Sequence, residues 1–192
     1  MGLSKLFNLI VAHEPGYYAS REAMRTIRSI LGAVRLFAAP QSLLLLSVDD
    51  PYKAVAKLAR ELTDDSVILR AIPLDAVSSP YLDDVDKTVK KTLQEKYGSK
   101  DGKTFAIRLE GHLVDNESGR LLHKDEAIRH LAKGIELPVN LDNPDILILV
   151  KIVRASKGLY YAGIMVAPPC SIYSKAKGGN VCIEYPDAAE PF

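Results

Sequence analysis

Tryptophan is absent from this 192-residue chain, cysteine occurs twice, and neither sign of charge dominates, with 25 basic residues against 24 acidic ones. A net charge of +1 gives no global argument for a polyanionic partner. Cys170 and Cys182 are too few for a disulfide scaffold and too far apart for a zinc ribbon, so free thiols are the simplest expectation. Long hydrophobic runs are missing as well. The longest candidates, residues 43–48 and 146–153, fall far short of the ~18 to 20 apolar residues of a membrane span, and Lys151 interrupts the second. Residues 1–12 carry one lysine and a short apolar run without a small-residue cleavage site, so no signal peptide and a cytoplasmic location are expected. No P-loop, no GxGxxG and no GxSxG occurs, which leaves no phosphate-cradling loop or nucleophile elbow to build on.

What is present is the composition of a folded protein: 47% hydrophobic and 26% charged residues with 12 glycines and 11 prolines exclude a disordered, collagen-like or coiled-coil chain. The length allows one domain or two small ones.

The first eighty residues alternate strand, helix, strand, strand, helix, strand. Residues 6–12 form an apolar run suited to a buried strand, and Ser20 is placed to cap a helix whose Met24, Ile27 and Leu31 share a face, with Gly32 as its C-cap. Runs at 34–38 and 43–48 suit a hairpin. Asp50 and Pro51 then open a second helix with Val55, Leu58, Ala59 and Leu62 on one stripe, and residues 67–72 close the set as a strand. This βαββαβ order predicts a ferredoxin-like sandwich over residues 1–78, within an α/β chain of the α+β kind.

Residues 75–80, with Ser78, Ser79 and Pro80, have the look of a linker. Beyond it, Asp83 and Asp84 are placed to cap a helix carrying Val85, Val89, Leu93 and Tyr97, ended by Gly98 and a polar turn at 99–103. A strand at 104–109, a helix at 124–133 followed by Gly134, a buried strand at 146–153 and a hairpin partner at 159–166 complete the second unit, which extends over 81–167. The tail, 168–192, is expected to be an irregular arm packed on that unit, with a short strand near 181–185.

Four histidines, His13, His112, His123 and His130, invite a metal or acid–base reading, but their spacing matches no ligand motif and solvated surface positions explain them. Acid pairs such as Asp49 with Asp50 sit at helix ends, where capping accounts for them. No catalytic residue, metal site or cofactor is therefore expected. Gly178 and Gly179 after Lys175 and Lys177 suit a turn better than a phosphate loop. Basic residues near aromatics are the stronger lead, because Lys and Arg neutralise phosphates and tyrosine stacks on unpaired bases. Arg108, Arg120, Lys124, Arg129, Lys133, Lys151, Arg154, Lys157, Lys175 and Lys177 all lie in the second half, with Tyr160, Tyr161 and Tyr173 interleaved, and residues 146–183 contain no Asp or Glu. On this pattern alone an RNA-binding surface and an ordinary solvated one fit equally well.

The stretch Thr104, Phe105, Ala106, Ile107, Arg108, the helix from Asp125 to a Gly134 end, and Val139, Asn140, Leu141, Asp142, Asn143, Pro144, Asp145 leading into the strand at 146–152 together resemble a THUMP domain. Asn140 stands where that family often has Asp. The resemblance covers roughly residues 81–167, and the family commonly carries a ferredoxin-like unit in front. It implies binding of tRNA at its acceptor end. It implies further the stand-alone type, which lacks a methyltransferase or thiouridine synthase domain and serves as a non-catalytic adaptor for tRNA cytidine acetyltransferase or another tRNA-modifying enzyme. Asn143, Pro144 and Asp145 suit a structural turn, and Arg108 could pair with an acid instead of phosphate. Two other readings stand beside the adaptor: a small metal-dependent RNA-processing enzyme using His112, Asp115 and His123, and a protein-interaction module that docks through Tyr17, Tyr18 or exposed helix faces without RNA.

Overall fold

A computed structural model describes residues 6–98 and 102–182. The N-terminal unit consists of β1 (Leu9–His13), α1 (Tyr17–Leu31), β2 (Arg35–Ala38), β3 (Leu43–Ser47), α2 (Pro51–Glu61) and β4 (Ile68–Pro73). Its strands pair antiparallel in the order β2-β3-β1-β4, the ferredoxin-like arrangement expected from the element order. Strand alternation divides the apolar residues between two faces: Leu9, Val11, Leu44 and Leu46 pack under α1 and α2, while Ile10 and Leu45 point the other way. At α2 the Asp50 carboxylate accepts from the backbone amides of Tyr52 and Lys53, each at 3.0 Å, with Pro51 in the first turn. Helix α1 begins earlier than expected. Its first residue is Tyr17, after Gly16 with φ 113°, and the Ser20 amide already donates to Gly16 O, so Ser20 is inside the helix and not its cap.

The second unit contains β5 (Ala76–Ser78), α3 (Leu82–Tyr97), β6 (Phe105–Glu110), α4 (Lys124–Ala132), β7 (Ile146–Ser156) and β8 (Leu159–Ala167). Its sheet has the order β5-β8-β7-β6, with β6 parallel to β7 and the other pairs antiparallel. The expected linker at 75–80 is therefore largely a strand: Ala76, Val77 and Ser78 pair with Ile164, Gly163 and Ala162. A strand of three residues is too short to show a period of two. Asp83 and Asp84 sit in the first turn of α3 and favour its positive end, whereas Asn116 Oδ1, from a distant loop, accepts from the Asp83 amide at 3.0 Å.

The tail departs most from expectation. After a 3-10 turn at Pro169–Ser171, β9 (Tyr173–Ser174) pairs with β4 through Ser174 with Arg70 and Tyr173 with Ala71, so the arm extends the N-terminal sheet instead of packing on the second unit. Tyr173 is buried in the core beneath α1 and α2. Nor are the cysteines free. Cys170 and Cys182 form a disulfide with Cα atoms 5.1 Å apart, and the Cys182 amide donates to Cys170 O at 2.9 Å. The β9 segment folds the chain back, which their separation of twelve residues does not reveal. Of the expected strand near 181–185, residues 181 and 182 are not in a strand and 183–185 lie outside the described residues. Part of the polar turn at 99–103 and of the N-terminal stretch 1–12 also lies outside them. Among the described residues no helix is long and apolar enough to cross a membrane.

The two sheets pack against each other. Phe7, Ile10, Leu45, Ile72 and Leu74 from the first unit meet Val77, Leu147, Leu149, Val153 and Met165 from the second in one buried cluster, so the layers run helices, sheet, sheet, helices. Gly163 on β8 lies within this contact. A Cβ there would lie 2.9 Å from Leu74 Cδ1 and 3.1 Å from Ile10 Cδ1. Two polar networks close the apolar interface. Asp75 accepts from Tyr52 Oη at 2.8 Å, Lys96 Nζ at 2.9 Å and the Val166 amide at 2.7 Å, tying α2, α3 and β8 together. Burial, with the Asp75 carboxylate beside it, pushes the Tyr52 phenol far above its ordinary pKa. Glu110 at the end of β6 accepts from Arg70 of β4 and from Lys151 of β7, both at 2.7 Å. Partial burial opposes ionisation of Glu110, but the hydrogen bonds and charges of Lys151 and Arg70 outweigh it and hold the carboxyl below its ordinary range.

Two outcomes follow from this interface. Gly163→Val forces Leu74 and Ile10 apart and lowers the unfolding free energy by about 2 kcal/mol, measured as a reduced urea midpoint at unchanged slope. Because the folded-state pKa of Glu110 is lowered, its contribution to stability is present above the unfolded-state value of about 4.3 and is lost as pH falls through the folded value. Glu110→Gln therefore destabilises the protein at pH 7 and flattens the acid limb of its stability profile; an acid limb identical to wild type would refute the coupling.

Candidate nucleic-acid interface

Strands β7 and β8 outrun their neighbours. Strand β6 pairs with β7 only as far as Lys151, and β5 pairs with β8 only over 162–164, so residues 152–161 continue as a two-stranded hairpin. Ser156 faces Leu159, leaving Lys157 and Gly158 as the turn, where Gly158 takes the positive φ of 76°. One face of this hairpin is held down: Val153 is buried between the sheets, and Tyr161 contacts the Phe37 and Phe7 rings edge-on at 5.9 and 6.0 Å. The other face is open. Arg154 and Tyr160 are directly opposite each other and exposed, Tyr160 to 44%, with Lys157 at the tip. The strand ladder and the buried face hold the backbone beneath, while a guanidinium, whose Nε donates to Ser156 O at 3.2 Å, an ammonium and a phenol ring are exposed. Such a combination has the chemistry to neutralise phosphates and to offer a surface on which an unpaired base can stack.

The remaining sequence candidates lie elsewhere. Lys124, Arg129 and Lys133 are exposed on and just after α4, with Arg129 and Lys133 one turn apart. Arg120 is held by Glu126 at 2.8 Å. Arg108 is exposed on β6, the edge strand of its sheet. Lys151 is engaged with Glu110, which gives it a structural role. Lys175 donates to Ser66 O at 2.7 Å, and it and Lys177 follow β9, on the N-terminal sheet and away from the other candidates in the fold. The structure thus gathers Arg154, Lys157 and Tyr160 at one tip, sets Arg129 and Lys133 at the C-terminal end of α4, and commits Lys151 to the junction of the two units.

The motif residues at 140–145 build a turn. Asn140 Oδ1 accepts from the amides of Asp142 and Asn143 at 3.2 and 3.0 Å, and its own amide donates to Phe105 O, so Asn in place of Asp keeps the turn intact. Asp145 accepts from the amide and hydroxyl of Thr104 at 2.7 and 2.9 Å, and these bonds hold its carboxyl below the ordinary range. His112 Nδ1 lies 3.1 Å from Leu122 O, and Asp115 accepts from the Ser118 hydroxyl and amide, bonds that keep its carboxyl low. His13 is buried, contrary to the surface position expected for it, with Nδ1 2.7 Å from Glu14 O. Among the described residues no group of three or more His, Cys, Asp or Glu is placed to hold a metal ion.

Sequence reasoning passed over a different set of cations, on the outer helices of the N-terminal unit. Arg21, Arg25 and Arg28 of α1, and Lys53, Lys57 and Arg60 of α2, each follow i, i+4, i+7 spacing. The signal was the helical period of the basic residues, complementary to the apolar stripe that defined the helices.

Comparison with known proteins agrees with the fold. No curated protein matches the chain. Among solved structures it is similar to PH1313 from Pyrococcus horikoshii Ot3, with 16% identity and TM-score 0.60 over 83% of this chain and 54% of that one. It is similar as well to a 4-thiouridine synthetase solved in complex with RNA and bound ATP, with 16% identity and TM-score 0.52 over 84% of this chain and 42% of that one. A third is TrmN from Thermus thermophilus, with 12% identity and TM-score 0.50 over 83% of this chain and 46% of that one. The chain spans about half the length of these proteins. The family model that matches is the THUMP domain, over the segment holding α3, β6, α4, β7 and the hairpin turn; residues 80–161 of this chain are a THUMP domain.

Proposed function

We propose that this chain is a non-catalytic tRNA-binding adaptor that holds the acceptor end of tRNA for a separate modification enzyme. The observation that carries the reading is the open face of the β7–β8 hairpin, where Arg154, Lys157 and Tyr160 project from a strand pair pinned on its other side, within a THUMP domain. Phosphate contacts at Arg154 and Lys157 supply salt-dependent affinity, and Tyr160 supplies a stacking surface for an unpaired base at the 3′ end. The resemblance to stand-alone members of the family makes N4-acetylcytidine formation the favoured reaction and tRNA cytidine acetyltransferase the favoured partner. The solved 4-thiouridine synthetase was captured with RNA, which supports RNA as the ligand class for this architecture. The metal-dependent RNA-processing reading has no observation in its favour: among the described residues His112, Asp115 and His123 do not form a group placed to hold a metal ion.

Titration of labelled tRNA, intact and lacking its 3′ single-stranded end, at two salt concentrations tests the reading. Intact tRNA binds more tightly, and affinity falls with salt. Arg154→Glu with Lys157→Glu lowers the salt slope by about one for each phosphate no longer neutralised, uniformly across tRNA sequences. Tyr160→Ala costs about 1–3 kcal/mol with the intact 3′ end while leaving the salt slope unchanged. Equal binding of both tRNA forms, or no salt-sensitive affinity, would move the function to partner docking. A purified acetyltransferase that modifies tRNA equally well with and without the chain would remove the adaptor role.

A further inference from the structure

Helix α2 and the disulfide-closed tail enclose a groove of about 430 Å³ on the face of the molecule away from the THUMP domain, lined by Lys53, Lys57, Arg60, Ala56 and Ala59 on one side and by residues 179–181 on the other. We propose that this groove binds successive phosphates of an RNA strand, as a second contact beside the hairpin; the inference rests on the RNA-binding reading above.

Charge and spacing select the ligand. The three cations follow i, i+4, i+7 on one face of α2, so they run along the helix over about 10 Å, with about 6 Å between the first two. That is a row suited to consecutive phosphates, not a pocket closing on one ion. Among the described residues no Asp or Glu lines the groove. Among the described residues Asp50 lies 3.6 Å from Lys53 and Glu61 3.3 Å from Arg60, in solvent-exposed pairs that open readily. Ala56 and Ala59 are small enough for a backbone to approach the helix surface.

The opposite wall is built, not incidental. Gly178 and Gly179 have φ of 80° and 71°, and a Cβ on Gly179 would lie 3.1 Å from the ring of the buried Tyr173, so the loop lies directly on that side chain. Its near end is bonded by the amides of Gly178 to Lys175 O and of Gly179 to Ser174 O, and its far end is tethered by the Cys170–Cys182 disulfide. The disulfide thereby tethers the loop beside α2, and Gly179 and Asn180, its described lining residues, carry no charge.

The full chain is titrated with labelled tRNA at several salt concentrations as wild type, Lys57→Glu with Arg60→Glu, Cys170→Ala with Cys182→Ala, and the hairpin variant Arg154→Glu with Lys157→Glu. The α2 variant is expected to weaken binding about tenfold and to lower the salt slope by about 1.4 to 2, additively with the hairpin variant. The cysteine variant, which leaves every cation in place, is expected to weaken binding about threefold. RNA should shield Lys57 from an amine-reactive reagent where inorganic pyrophosphate at the same phosphate concentration does not. Wild-type affinity in the α2 variant, with loss in the hairpin variant, would overturn this second contact and leave the functional reading standing. Wild-type affinity in the cysteine variant would overturn the part assigned to the loop. Equal shielding by pyrophosphate would overturn the strand as ligand in favour of a free oligophosphate. No RNA affinity in the wild-type chain would overturn the functional reading and this inference together.

Discussion

The apolar contact between the two sheets is the constraint on which the rest of the molecule depends. Each sheet has helices on one face only, so each would otherwise expose a row of Leu, Ile, Val and Met side chains to water; burying both rows against one another satisfies the two units at once. At Gly163 the contact is tight enough that a Cβ would oblige the Leu74 and Ile10 side chains to shift. At its margins the groups are polar but paired, with Asp75 gathering donors from three elements and Glu110 bridging Arg70 of one unit to Lys151 of the other. Such a seam joins a ferredoxin-like unit and a THUMP domain into one body, and it sets where the hairpin stands. Val153 and Tyr161 belong to the seam while Arg154 and Tyr160, their immediate neighbours in sequence, belong to solvent.

That alternation anchors a charge-bearing surface from its buried side. A loop carrying Arg, Lys and Tyr would lose binding energy to the ordering of its own backbone. Here the ordering is accomplished by the buried side of the same two strands, so the exposed side chains lose only their own rotamer freedom on contact with a ligand. Counting cations is a poor guide to such a surface. Lys151 and Arg154 lie three residues apart on one strand, yet the first is drawn into an ion pair inside the molecule and the second is exposed.

The regular elements were legible in the sequence because burial on one face imposes a period: the βαββαβ order, the apolar stripes of α1 and α2 and the long strand β7 all follow from it. What was not legible depends on pairing between distant segments. Strand β5 has three residues, β9 has two, and neither is long enough to display a period, so the first reads as a linker and the second is hidden in an irregular arm. The cysteines belong to the same class: Cys170 and Cys182 meet only because β9 docks on β4. At the candidate site, the residue types and the hairpin were legible, but the engagement of Lys151 by Glu110 and of Arg120 by Glu126 was not, since a string of charges does not say which ones neutralise each other.

The similar solved structures extend over 83–84% of this chain, whereas the THUMP match ends at residue 161 and begins at residue 80. The shared architecture must therefore include much of the N-terminal unit together with the THUMP domain, at 12–16% identity. A sheet-on-sheet seam withstands that divergence because it needs alternating apolar side chains of the right volume and not particular ones. Surface cations are under no such restraint: a lysine on the outer face of α2 contributes almost nothing to packing. The basic rows on the outer helices, the open face of the hairpin and the disulfide-held loop are thus places where the sequence can vary while the fold is kept.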